Sequence, residues 1–220
     1  MTGTEKAETE HLRDRLAAAL LDIGAVTLRP DEPYTWTSGI RAPIYTDNRL
    51  TLSHPLVRRM IAEGFAAVIR DRSPGVECLA GAATGGIAHA AFTADILGLP
   101  MVYVRTSAKA HGKGGAVEGR ILPGQRVAVI EDTVSTGGSI LSVVAGLRDA
   151  GADVALAAAI FTYGFAASQA ALRDAGVAFV SLTDFEAVAE AGRRRGALTE
   201  RALELLMRFR DDPHGWRTGQ

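Results

Sequence analysis

A chain of 220 residues is long enough for one well-buried core, since single domains run to roughly 100–200 residues. Hydrophobic residues at 47% and charged residues at 22% give an ordinary globular balance, and 24 Lys+Arg against 25 Asp+Glu leave a net charge of −1, which argues against disorder and bulk nucleic-acid binding. The N-terminus MTGTEKAETEHLRDR lacks an apolar secretory stretch, and the single cysteine, Cys78, reads as a core thiol in a reducing compartment, so a cytoplasmic protein is expected.

In chain order, a helix is expected near residues 8–21, ending at Gly24. The stretch LRPDEPYTWTSGIRAPIYTDNR, with three prolines and few helical signals, predicts short strands or loops that cover something. Another helix spans about 55–70. Beyond it, apolar β-rich runs near 76–80, 101–104, 126–131, 154–161 and 177–181 alternate with helical runs near 86–97, 138–150, 166–175 and 199–210. Such alternation is the pattern of βαβ units, so the fold class is α/β, a parallel sheet flanked by helices. The uncharged run 154–172 is broken by Thr162-Tyr163-Gly164 and Ser168-Gln169, which fits a strand, a turn and a helix better than a membrane span.

The most informative segment is VAVIEDTVSTGGS, followed by a helix with Ile140, Val143, Val144 and Leu147 on one face. A buried strand delivers Glu131 and Asp132 to its carboxyl end, where open α/β sheets bind ligands. Thr133, Val134, Ser135, Thr136, Gly137, Gly138 and Ser139 then bring hydroxyls and glycines to a helix N-terminus, whose free N–H groups and dipole suit a phosphate. Acids beside an anion cradle repel the ligand unless they bind its hydroxyls or a divalent cation, so a sugar phosphate with magnesium satisfies both halves. Neither a GxGxxG fingerprint nor a P-loop motif is present. A second segment, RTSAKAHGKGGAVEGR, is a basic, glycine-rich loop in which Arg105, Lys109, Lys113 and Arg120 outnumber Glu118, with His111 among them. Cations on such a loop serve a reaction that develops negative charge on a departing group.

The acid pair with TGGS after a strand resembles the phosphoribosyl diphosphate signature of type I phosphoribosyltransferases. The loop KAHGKGG…EG, the early YTWTSGIRAPIYTDNR and the segment LAGAATGGIAHA extend that likeness to the orotate phosphoribosyltransferases of the bacterial branch over roughly residues 16–211. The resemblance implies a single domain, 1–220, with a hood from roughly 16–50 plus part of the C-terminus over a core of roughly 55–185. It implies conversion of orotate and 5-phosphoribosyl 1-diphosphate to orotidine 5′-monophosphate and pyrophosphate in pyrimidine biosynthesis. Lys109, His111 and Asp132 are then catalytic. Glu131 and Asp132 meet the ribose, residues 134–139 bind the 5-phosphate, Ser135 also touches orotate, and residues 82–86 line the pyrophosphate pocket. Magnesium is held through substrate and water rather than by protein ligands alone. A homodimer is implied in which the loop reaches the partner's site, without nucleic acid or membrane.

Two departures stand out. Thr106 replaces a basic residue common in the family, and IFTYG lacks the arginine that other members place after the next strand for the orotate carboxylate, leaving Arg41 as a substitute. Two other readings stand beside the first: a phosphoribosyltransferase for another base, and a regulator that binds phosphoribosyl diphosphate without turnover.

Overall fold

The computed structural model describes residues 3–36, 39–105 and 116–216. Helix α1 (Gly3–Asp22) leads into four short strands, β1 (Val26–Leu28), β2 (Tyr34–Thr35), β3 (Arg41–Ala42) and β4 (Ile44–Thr46). β1 pairs antiparallel with β4 and β2 with β3, so the proline-rich stretch forms two small two-stranded sheets outside the main one. A 3-10 turn (Asn48–Ser53) and α2 (Pro55–Arg72) follow, with Pro55 opening the helix where its missing N–H is not needed. The core elements are β5 (Cys78–Ala82), α3 (Gly85–Leu97), β6 (Met101–Val104), β7 (Val117–Glu118), β8 (Arg126–Val134), α4 (Gly138–Asp149), β9 (Asp153–Thr162), α5 (Ala166–Asp174), β10 (Phe179–Asp184), α6 (Phe185–Arg194) and α7 (Glu200–Asp211).

The main sheet has the order β10-β9-β8-β5-β6-β7, parallel except for β7. Starting from β5 the chain moves outward through β6 to β7, then returns to place β8 on the other side of β5. The strand order therefore reverses between β5 and β8, which opens a crevice at their carboxyl ends.

Side-chain alternation builds a core on each face. Leu79, Ala128, Ile130, Leu156, Ala158 and Ile160 join the layer with α1, α2, α6 and α7, whereas Cys78, Ala80, Val127, Val129, Ala157 and Ala159 join the layer with α4. Cys78 is a buried thiol bonded to the Leu79 carbonyl, and burial pushes its pKa up. No described helix is long and apolar enough to cross a membrane.

Two sequence expectations need correction. β8 does not stop at Glu131 but keeps its pairing with β9 through Val134, because Glu131, Thr133 and Val134 still register with Ala159, Phe161 and Thr162. Helix α6 was not anticipated. Asp184 caps it by accepting from the Ala187 N–H, and Phe185 and Val188 bury its inner face. Its signal, an N-cap Asp followed by apolar residues at helical spacing, was hidden in an alanine- and arginine-rich run.

Candidate active site

Alternation along β8 sends its two acids to opposite faces of the sheet. Glu131 follows Val129 toward α4: its Oε2 accepts from the Ser139 hydroxyl at 3.0 Å and its Oε1 from the Asp132 N–H at 3.0 Å. It is 4% exposed, and burial, followed by neighbouring Asp132, pushes its pKa up to about 8. Asp132 follows Ile130 toward α3, where its carboxyl lies against the backbone of Gly85; a Cβ there would fall inside the carboxyl group. Next to it, a Cβ on Gly86 would meet the Ile130 carbonyl oxygen. Two consecutive glycines thus let the first turn of α3 lie directly on β8.

Two helices begin at this crevice, and neither N-terminus is closed by a side-chain cap. α3 starts after Thr84 and α4 after Gly137, which adopts a left-handed φ of 87° that a side chain would strain. α2 and α5 likewise begin without a side-chain cap, whereas α6 and α7 are capped by Asp184 and Thr199. Among the described residues, the crevice therefore gathers two helix N-termini without side-chain caps, with their N–H groups and positive dipole ends beside two carboxyl groups, an arrangement suited to an anion that also carries hydroxyls.

The remaining predicted residues fall as follows. Ser135 is half-buried, while Thr136, Gly138 and Ser139 are exposed at the turn, and Gly137 is buried against Ser168. The Val134 side chain is 2% exposed in the core, and its carbonyl accepts from the Tyr163 N–H, so only its backbone can serve a ligand. The Thr133 hydroxyl accepts from the Asn48 amide. Arg105, at the end of β6, places Nη2 2.8 Å from Glu118, while its buried Nε has no hydrogen-bond partner among the described residues. Lys109, His111 and Thr106 lie outside the described residues. Arg41 is exposed, with its carbonyl accepting from the Trp216 indole. Tyr163, of IFTYG, turns inward to donate its hydroxyl to Thr46, and burial pushes its pKa up to about 12.

Sequence reasoning missed the floor of the crevice. Asn48, Thr51 and His89 are all fully buried, and Asn48 bonds directly to the acid strand. Asn48 and Thr51 come from the 3-10 turn, where polar residues read as loop, and His89 sits on a helix of small residues; Asn48 and His89 fall inside the segments YTWTSGIRAPIYTDNR and LAGAATGGIAHA, but nothing local singles either one out. A separate cavity of about 610 Å³ at the β9–β10 edge, lined by Arg173, Ser181 and Arg210 among others, contains none of the predicted residues.

Comparison with known proteins agrees with this geometry. Residues 52–192 match the family model described as the phosphoribosyl transferase domain. An orotate phosphoribosyltransferase of Bacillus pumilus is 50% identical over 202 residues, covering 92% of this chain and 95% of that protein. Among solved structures, the orotate phosphoribosyltransferase of Aeropyrum pernix superposes with a TM-score of 0.72 at 30% identity, covering 84% of this chain and 99% of that one. The Mycobacterium tuberculosis enzyme in complex with 5-phospho-α-D-ribosyl 1-diphosphate gives a TM-score of 0.60 at 25% identity, covering 81% of this chain and 99% of that one.

Proposed function

The chain belongs to the orotate phosphoribosyltransferases, a branch of the phosphoribosyl transferase family, and from that premise we propose how its residues share the work. One observation carries the assignment of roles: the acid pair on β8 stands between two uncapped helix N-termini. The N–H groups at the start of α4, with the Ser135 and Thr136 hydroxyls, hold the 5-phosphate. Glu131 and Asp132 take the two ribose hydroxyls, Glu131 from the α4 side and Asp132 from the α3 side. The backbone at residues 82–86 and Arg105 receive the pyrophosphate.

In the reaction the bond from the anomeric carbon to pyrophosphate breaks, a bond to the orotate ring nitrogen forms, and the proton of that nitrogen passes to the departing diphosphate or to water. Positive charge grows on the ribose and negative charge on the leaving group, so cations must meet the pyrophosphate while the carboxylate of Asp132 faces the ribose. Lys109 and His111 supply those cations from the basic loop. Among the described residues the crevice offers only two crowded carboxyl groups, too few to enclose a metal, so magnesium would be held mainly through the diphosphate and water, with Asp132 the residue placed to approach it. When bound, that ion neutralises the diphosphate and helps it leave. The two small sheets and the C-terminal helix form the hood over the base, covering the core from about residue 55 to 185. The same reading has the enzyme act as a cytoplasmic homodimer, with the loop of one protomer reaching the site of its partner.

The test is direct. The protein is incubated with magnesium, 5-phosphoribosyl 1-diphosphate and orotate, uracil, adenine or hypoxanthine in turn, and nucleotide is measured; product from orotate alone is expected. Product from a purine would reject the base assignment, and none from any base would favour a binding protein. Lys109→Ala should lower kcat by about 100-fold or more, the scale of losing one charge-stabilising group, with little change in KM.

A further inference from the structure

Beneath the acid pair lies a directed chain of hydrogen bonds. The Thr51 hydroxyl has one proton, and its Oγ1 lies 2.5 Å from the Asn48 carbonyl oxygen, which can only accept. The proton is therefore committed there, and the 3.2 Å contact between Thr51 Oγ1 and His89 Nε2 must be donated by the imidazole. His89 is thus held as the neutral Nε2–H tautomer, in keeping with burial lowering its pKa to about 4. Asn48 then directs both protons of its amide forward, to the Asp132 carbonyl oxygen at 2.9 Å and to Thr133 Oγ1 at 2.9 Å.

This chain joins α3, the 3-10 turn and β8, three elements that bound the crevice. Among the described residues, Asn48 Oδ1 and His89 Nδ1 are left buried without a hydrogen-bond partner. Burying unpaired acceptors disfavours folding, and apolar residues of the same size would fill the space without that penalty, so stability alone does not account for these side chains.

We propose that Asn48, braced by Thr51 and His89, is the positioning residue for the ribose-binding acids: it fixes the main chain at Asp132 and Thr133 so that the Asp132 carboxyl stays over Gly85. The proposal rests on the assignment of Glu131 and Asp132 to the ribose. It predicts that loss of Asn48 harms recognition of the sugar hydroxyls and spares recognition of phosphate, which is bound by the start of α4.

Calorimetric titration of the whole chain with ribose 5-phosphate and, separately, inorganic phosphate tests it. Asn48→Ala should weaken ribose 5-phosphate about tenfold, the scale of one lost positioning hydrogen bond, while phosphate affinity changes less than about twofold. KM for 5-phosphoribosyl 1-diphosphate should rise with the first figure. Thr51→Val and His89→Leu should produce a smaller loss of the same selectivity, whereas His89→Gln, which keeps an N–H donor, should restore it. Equal weakening of both ligands, or unchanged ribose 5-phosphate binding in Asn48→Ala, would overturn the positioning role. Should Asn48→Ala fail to fold, Thr51→Val and His89→Leu decide by the same criterion. A wild-type protein that binds phosphate but not ribose 5-phosphate would overturn the ribose assignment itself, and the positioning role with it.

Discussion

The floor of the crevice between β5 and β8 and the aromatic layer between the small sheets and α7 are both buried, yet opposite forces hold them. In the crevice, backbone meets backbone: Gly81 lies so close to α3 that a Cβ would come within 2.7 Å of the Ile87 Cα, and the polar groups brought together there include an acid shifted toward its neutral form. In the aromatic layer, Trp36, Tyr163, Phe165, Phe209 and Trp216 pack ring to ring, with the Phe209 centroid 5.8 Å from those of Trp36, Phe165 and Trp216. The first region gains specificity at the expense of stability, while the second supplies stability and leaves the chemistry to others.

The largest effect that could break this contrast is Phe209→Ala. Phe209 is fully buried and touches four other rings, so its loss should cost about 3–5 kcal/mol, read by urea denaturation. Because the layer ties the small sheets to α7, KM for orotate should rise more than KM for 5-phosphoribosyl 1-diphosphate. A parallel rise in both would show that the two regions are not mechanically separate.

Gly85→Ala attacks the other region. Its Cβ has no room beside the Asp132 carboxyl, and the strain of overpacking predicts a loss of about 1–3 kcal/mol, less than for Phe209→Ala. Ribose 5-phosphate binding should nonetheless suffer more in this variant than in Phe209→Ala. Retained binding would mean that the Asp132 position is not needed for the sugar.

The same contrast explains what the sequence revealed. The crevice was legible where its geometry lies in consecutive residues, as in Glu131-Asp132 and Gly137-Gly138, because a strand followed by a glycine turn places them without outside help. Asn48 and His89 were illegible because their meaning comes from meeting β8 across 84 residues and the 3-10 turn across 38 residues, which no local pattern encodes. The aromatic layer was hidden for the same reason: Trp216 reaches Arg41 across 175 residues. The parallel sheet followed from alternating periodicities, but the end of β8 did not, since its polar last residues look like loop while pairing with β9 still extends them.

The smallest effect isolates the electrostatics of the crevice. Glu131 is raised from an ordinary 4.5 to about 8, so the folded protein keeps a proton that the unfolded chain has released. Its contribution is present below about 4.5 and is lost as pH rises through about 8. His89 has the opposite sign: lowered from 6.5 to about 4, it contributes above 6.5 and loses that contribution as pH falls. The two oppose each other between about 4.5 and 6.5, and only Glu131 acts from there to about 8. Thermal unfolding of the unliganded protein should therefore show stability falling by on the order of 1 kcal/mol over that upper window. Glu131→Gln keeps the shape of the side chain without the titration and should flatten the slope, whereas Phe209→Ala should lower the whole curve and keep it. If Glu131→Gln retains the slope, the proton belongs to another group and the crevice is not held against its own charge.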